Sequence, residues 1–286
     1  MVNVSIMSAG YCQQLHSMVF PREAWKLVRF PALFALLEHP REGLMMFDTG
    51  YAEHFFTATR RFPTRLYAAL LPVTCSAEEA AKAQLHAQGR SSDEVRHIFI
   101  SHFHADHIAG LRDFPKAEFI CSQRSYEAIK DLRGWNATRQ AFVPDLLPDD
   151  FADRCRLLSG ADFKSLDDKA APFEQGVDLF ADGSVLALEL EGHAKGQMGL
   201  LVKTQTGQVL MAADAVWHSR ALREHVLPAA LSRLMMADQQ AFQDSFDKLE
   251  RFQCLHPEAR IIPSHCAEVY EDMLTSSKER SRATPA

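Results

Sequence analysis

Ser101-His102-Phe103-His104-Ala105-Asp106-His107 follows directly on an apolar run, Val95 to Ile100. That run has the length and composition of a buried strand. At its exit, four strong metal-binding side chains fall within six residues. Neutral imidazole and carboxylate together suit a hard-to-borderline divalent ion such as zinc. His102 and His104 are two apart, so in an extended segment they point the same way. Asp106 and His107 come after the chain has turned, where they can face a second ion. A solvated turn, or core histidines satisfied by backbone, is the alternative. A single histidine would fit it; three with an aspartate at this spacing fit metal chemistry.

On either side the chain alternates short apolar strands with helical stretches. Leu33 to Glu38 and Leu44 to Phe47 read as strands, with Pro40 to Gly43 turning between them. Ser76 to Gln88 is a predicted helix: Ser76 and Glu79 can form a capping box and Gly89 supplies a stop. Glu118 to Cys121 is a short predicted strand, followed by a helix from Ser122 to Leu132. Gly160 to Gly176 is polar and irregular and reads as a loop. Val185 to Leu190, Gln208 to Ala213 and Arg260 to Ile262 are further predicted strands. Asp238 to Phe252 is an amphipathic helix with Phe242, Phe246, Leu249 and Phe252 on its core face. A single domain is expected over residues 1–275, with a polar, fraying tail over 276–286.

Several predicted strands run into a candidate ligand. Leu44 to Phe47 leads to Asp48-Thr49-Gly50, Val185 to Leu190 to Gly192-His193, Gln208 to Ala213 to Asp214, and Arg260 to Ile262 to Ser264-His265. Strand ends on one sheet edge can converge, so distant residues can build one site. Taken singly, each keeps an alternative. His193 has glycines nearby that let the backbone turn and place the ring, as a ligand or as a structural histidine. Asp214 and His265 follow apolar strands, and a buried carboxylate needs a cation or strong hydrogen bonds, or it caps a helix. Asp48 either makes a turn or orients a ligand histidine. Cys266 is left out, because neighbours on an extended segment point apart. The other histidines, His39 and His218 among them, read as surface or structural.

At 286 residues the chain can bury a sizeable core without disulfides. Its 47% hydrophobic and 24% charged residues are those of an ordinary globular protein. The net charge of −6 argues against a nucleic-acid partner, since phosphate binding wants a basic face. Six scattered cysteines with no C-x-x-C point to a reduced, cytoplasmic protein. No signal peptide is expected from Met1 to Cys12, and no apolar run reaches the ~18 residues of a membrane helix. Gly-rich phosphate loops and a serine or cysteine nucleophile pattern are absent.

His102-x-His104-x-Asp106-His107, then His193, Asp214 and His265 in that order, resemble the metallo-β-lactamase-fold hydrolases across nearly the whole chain. Ala9-Gly10-Tyr11-Cys12, Arg29-Phe30-Pro31 leading into Leu36-Leu37-Glu38, and Phe47-Asp48-Thr49-Gly50 look like the opening of the N-acyl homoserine lactonase branch. The resemblance implies an α/β fold, a four-layer αββα sandwich with metals at one edge of two sheets. It implies two divalent ions, zinc first, with iron, manganese or cobalt as alternatives. One would be held by His102, His104 and His193, the other by Asp106, His107 and His265, with Asp214 bridging. The family pattern has Tyr where Trp217 stands, His or Ser at Gln197, and often Asp at Cys266.

The implied chemistry is hydrolysis by a metal-bridging hydroxide, of a lactone such as an N-acyl homoserine lactone, in the manner of a quorum-quenching enzyme. Asp106 and Trp217 are the catalytic candidates: Asp106 to relay a proton to the leaving alkoxide, Trp217 to offer its N–H to the oxyanion. Met18 to Phe34 and Phe62 to Val73 could line an apolar groove for an acyl chain, or pack as ordinary core. The expected partner is a small-molecule substrate, with no nucleic acid or membrane, in a monomer or homodimer. Rival readings keep the site and change the bond (another ester, thioester, phosphotriester or β-lactam), or change the class to a mononuclear iron persulfide dioxygenase.

Overall fold

Leu33 to Leu37 are five consecutive residues, none more than 3% exposed. Alternate side chains on a strand face opposite ways, and here they enter different cores. Leu33, Ala35 and Leu37 belong to one apolar cluster, Phe34 and Leu36 to the other. A strand buried on both faces needs a layer above and below it. The computed structural model describes residues 1–283, with side chains to Thr275, and shows those layers.

The first sheet is formed by β1 (Asn3–Leu15), β2 (Leu27–His39), β3 (Gly43–Phe47), β4 (Val73–Thr74), β5 (Val95–Phe99), β6 (Glu118–Ser122) and β7 (Cys155–Leu158), in the order β4-β1-β2-β3-β5-β6-β7. The second holds β8 (Lys164–Ser165), β9 (Gln175–Asp178), β10 (Val185–Glu189), β11 (Met198–Thr204), β12 (Gly207–Ala213) and β13 (Arg260–Pro263), in the order β13-β12-β11-β10-β9-β8. Met45, Phe47 and Phe99 of the first sheet meet Ala187, Leu200, Val202 and Met211 of the second in the inter-sheet core. On the outer face of the second sheet, Leu210 and Ile261 share a core with Phe246, Leu249 and Phe252 of the helix Gln239–Leu255. Outside the first sheet, Met46 and Ile98 pack in a cluster with Leu85, Ile108 and Leu111 from helical turns. The fold is the four-layer sandwich, with two mixed sheets inside.

Strand direction brings the loops together. β3, β5, β6 and β7 run parallel. β10 and β12 are both antiparallel to β11, and β13 is parallel to β12, so those three also share a direction. The loops after β3, β5, β10, β12 and β13 therefore leave on one edge. Backbone bonds lock the sheets there: Met198 N–H donates to the Ser101 carbonyl at 3.1 Å, and Leu33 N–H to the Ser264 carbonyl at 2.9 Å.

Several elements differ from the sequence expectation. β1 goes unpredicted, because a register shift at Ser8/Tyr11, with Gly10 at φ +71°, interrupts its alternation. β2 starts at Leu27, through Pro31, and β11 is also unpredicted. The Ser76 capping box forms, but the helix breaks at Ala80 and resumes over Ala81–Ala87. Gly160 to Gly176 is not one loop: it contains β8 and the start of β9. The last helix spans Ala267–Ala283, and of the polar tail expected over 276–286, residues 284–286 lie outside the described residues. No described helix is long and apolar enough to cross a membrane.

Candidate metal centre

The loop after β5 turns into the short helix Ala105–Ile108, so His102 and His104 precede the turn and Asp106 and His107 lie in it. Two backbone positions just before the site, Asp48 at φ +58° and Ala213 at φ +48°, sit in the left-handed region. Such strain persists only where the surroundings over-determine it. At Ala213 the β12–β13 register shifts, and the next residue, Asp214, is delivered to the edge. Gly192, at φ +121°, lies against the backbone of Phe242, where a Cβ would collide with the start of the helix Gln239–Leu255. That close approach seats His193: Asp238 N–H donates to the Gly192 carbonyl at 3.0 Å, and Ala237 N–H to that of His193 at 3.2 Å.

The structure brings all seven sequence-predicted ligands together. One ligand atom each of His102, His104 and His193 lies within 4.8 Å of the others, and the same holds for Asp106, His107 and His265. His102, His107 and Asp214 form a third such group joining the two. Asp214 stands between them: Oδ1 is 3.4 Å from His107 Nε2, while Oδ2 is 3.2 Å from His193 Nε2 and 3.1 Å from His265 Nε2. Asp106 Oδ2 is 3.3 Å from His265 Nε2 and 3.8 Å from His107 Nε2.

The backs of these rings are fixed. Asp48 is fully buried, and its Oδ2 sits 2.7 Å from His107 Nδ1. It also accepts the Ser101 N–H and hydroxyl, each at 2.8 Å. His265 Nδ1 is 2.9 Å from the Pro31 carbonyl. Both contacts keep a proton on Nδ1 and leave Nε2 facing the centre. Asp48 orients a histidine rather than making only a turn. Ser101 and the Pro31 carbonyl are missed by sequence reasoning, since a serine and a backbone oxygen carry no local signal for this role.

Divalent ions fit the donor set. His102 Nε2, His107 Nε2 and Asp214 Oδ1 are buried without a hydrogen-bond partner, and such atoms are costly unless something satisfies them. Burial, reinforced by neighbouring histidines, holds His102 and His104 well below the ordinary histidine value, and burial lowers His193 too. These rings are neutral and carry lone pairs. Burial also opposes charge on His107 and His265. There the carboxylates win: Asp106, Asp48 and Asp214 raise His107 well above its ordinary value, and Asp214 and Asp106 push His265 up to about 9. Against its own burial, Asp214 is held well below the usual carboxylate range by His265, His107 and His193. Protons on one side of the centre thus stand where a cation would stand.

Trp217 lies beside this cluster, its ring edge-on to His193 with centroids 5.8 Å apart and its Nε1 buried without a partner. Of the apolar groove candidates, Phe30 is buried 6.0 Å from the His265 ring, and Phe34 belongs to the core. Trp25 is 85% exposed, while Phe62 stacks edge-on with Trp135 at 5.0 Å.

Residues 29–265 match the model of the metallo-beta-lactamase superfamily. The chain belongs to that superfamily. It is 28% identical over 209 residues to the N-acyl homoserine lactonase AttM of Azorhizobium caulinodans, covering 71% of each chain. Among solved structures it resembles an N-acyl homoserine lactone hydrolase with the product N-hexanoyl-L-homoserine at its catalytic metal center (TM-score 0.70, 21% identity, 94% of this chain and 95% of that one). It also resembles AidC, a dizinc quorum-quenching lactonase (TM-score 0.63, 16% identity, 93% and 88% covered). Family, fold and lactonase relatives make this chain a metal-dependent hydrolase.

Proposed function

We propose that the chain is a dinuclear lactonase that opens N-acyl homoserine lactones. The observation that carries this reading is the Asp214 carboxylate, which reaches histidines of both ligand groups: Oδ2 lies beside His193 of one and His265 of the other, and Oδ1 beside His107. His102, His104 and His193 would hold one ion, Asp106, His107 and His265 the other, and Asp214 both. When bound, divalent ions act as Lewis acids toward a carbonyl and make hydroxide available near neutral pH; zinc is the first choice for this nitrogen and oxygen set. The lactone substrate is supported by the lactonase relatives, AttM among them.

The chain's own groups supply the rest. Asp106 has one oxygen against His265 and His107, and its carboxylate can carry a proton to the departing alkoxide. The unpartnered Trp217 N–H, beside His193, is a donor for a developing oxyanion where the lactonase branch uses a tyrosine hydroxyl. Asp48 and the Pro31 carbonyl keep the His107 and His265 rings from rotating during turnover. A cytoplasmic setting is supported by the sequence, whose six cysteines are scattered with no C-x-x-C.

The test is proton release by zinc-loaded protein with acyl homoserine lactones of short and long chain. Hydrolysis that vanishes in His104→Ala supports the proposal. Absence of turnover with two ions bound would sink the lactone substrate and move the search to other esters, thioesters and phosphotriesters. A single bound iron would favour the dioxygenase reading instead.

A further inference from the structure

His218, Cys266 and Glu268 meet next to the centre, and one ligand atom of each lies within 4.8 Å of the others. Cys266 follows His265 but points away from it. His265 faces Asp214, while the buried Cys266 sulfur turns to the loop after β12, where the Ser219 N–H and hydroxyl lie at 3.3 Å and 3.2 Å. We propose that His218, Cys266 and Glu268 form an accessory site for a zinc-class divalent ion, separate from the hydrolytic centre.

The donor set is the reason. Imidazole, thiolate and carboxylate are the three side-chain types that bind zinc, and their bond lengths put ligand atoms of a tetrahedral ion roughly 3.3–3.6 Å apart. Shifts of about an ångström in side chains that are only partly buried would close the group around an ion. His218 and Glu268 are open to solvent, the carboxylate 42% exposed, so an ion has a way in. A water would complete the shell.

Two contacts compete with the ion. His218 Nδ1 accepts the Arg220 N–H at 3.1 Å, capping the helix Ser219–Glu224. Ligation through Nε2 moves the ring proton to Nδ1 and gives up that cap. Glu268 is paired with Arg223 at 2.8 Å and 2.9 Å, both side chains more than a third exposed. One short helix cap and one solvated ion pair are small beside the binding free energy of a thiolate-containing zinc site. They make this site weaker than the centre, to be filled after it. Once filled, it would tie the loop carrying Asp214 and Trp217 to the loop carrying His265.

Sulfur makes the test specific, because the seven residues of the centre contain none. The metal-free full-length protein is titrated with cobalt(II) and followed by near-ultraviolet absorption. A thiolate-to-cobalt charge-transfer band is expected to grow with the last equivalent bound. It should be lost in Cys266→Ser and in His218→Ala, with the earlier equivalents retained, and kept in Cys254→Ser, whose sulfur is exposed and is not part of the group. A wild-type titration without a sulfur band overturns the proposal, as does a band that survives in Cys266→Ser. Failure of the dinuclear reading would appear separately, as fewer equivalents bound before any band.

Discussion

Two clusters of histidine and aspartate occupy opposite edges of the sandwich. His39, at the end of β2, is 4% exposed. Its Nε2 lies 3.0 Å from Ser184 Oγ and 3.1 Å from Asp182 Oδ2, and its Nδ1 accepts the N–H groups of Arg41 and Glu42 at 3.2 Å and 3.0 Å. Asp182 in turn accepts the Ser184 N–H at 3.0 Å and the Arg41 guanidinium at 2.6 Å. Every polar atom named has a partner, and the cluster pins the β2–β3 turn to the turn before β10. At the other edge, His102 Nε2, His107 Nε2 and Asp214 Oδ1 are equally buried and have none. The same residue types thus make a closed hydrogen-bond network in one place and an open donor set in the other. What separates structural from metal-ready histidine here is satisfaction, not burial.

The sharpest break of that comparison is Asp214→Ala, which removes the shared carboxylate. Metal content should fall for both ions, and kcat/KM by about a thousandfold or more; elemental analysis showing two retained ions would remove the central role given to Asp214. Gly192→Ala should be nearly as severe, because the new methyl meets the backbone of Phe242. Loss of folded protein or a large fall in Tm is the expected readout. Asp48→Asn leaves the ligands in place and loosens His107 directly, and His102 only through Ser101 Oγ, which bonds Asp48 and lies 3.0 Å from His102 Nδ1. It should weaken the Asp106, His107, His265 ion by about 10- to 100-fold and the His102, His104, His193 ion less, as competition with a chelator would reveal. His39→Gln, at the closed edge, should lower Tm and leave metal affinity unchanged.

The two ligand groups should also differ with pH. His265 is pushed up to about 9 in the ion-free chain, so it is protonated at neutral pH and must lose that proton to bind. Affinity of the Asp106, His107, His265 ion should therefore rise as pH climbs toward about 9, by up to about tenfold per unit for each proton released. Affinity at His102, His104 and His193, whose rings are already neutral, should stay flat above pH ~6.5. The ion-free chain itself should lose stability as pH rises from ~6.5 through about 9, because the raised His265 stabilises only while protonated. Equal pH slopes for the two ions would contradict this division.

The smallest effect belongs to Asp182. Burial works against its charge, but hydrogen bonds from Ser184 and Arg41 bring it to about 2. A carboxylate lowered in this way stabilises above its unfolded value and loses that contribution as pH falls toward about 2. Asp182→Asn should cost about 1 kcal/mol at pH 7, allowing for its partial exposure, without changing turnover. The gap between wild type and variant in denaturant melts should close between pH ~4 and ~2.

Much of the centre is legible in the sequence because its signal is local. Four ligands crowd into residues 102–107, and each remaining one stands within three residues of the end of an apolar run. Their residue types and order suffice to name the fold. The elements that go unread have weak local signals: β1 is interrupted by its bulge at Gly10, and β8 is two residues long. His218 reads as structural and Cys266 as excluded, since nothing in the chain order says that Glu268 and Ser219 complete their surroundings.

By itself, then, the sequence determined the chemistry: neutral nitrogen and carboxylate donors in a family-specific order, at the exits of strands. Tertiary structure decided which atoms each carboxylate meets. Which aspartate reaches histidines of both ligand groups, which of Asp48's two readings holds and which aspartate merely closes a network depend on where strands from two sheets end in space. Asp48, Asp182 and Asp214 are alike as letters; they differ in which atoms lie within about 3 Å of each carboxylate oxygen, and hydrogen bonds and metal bonds form only at that range.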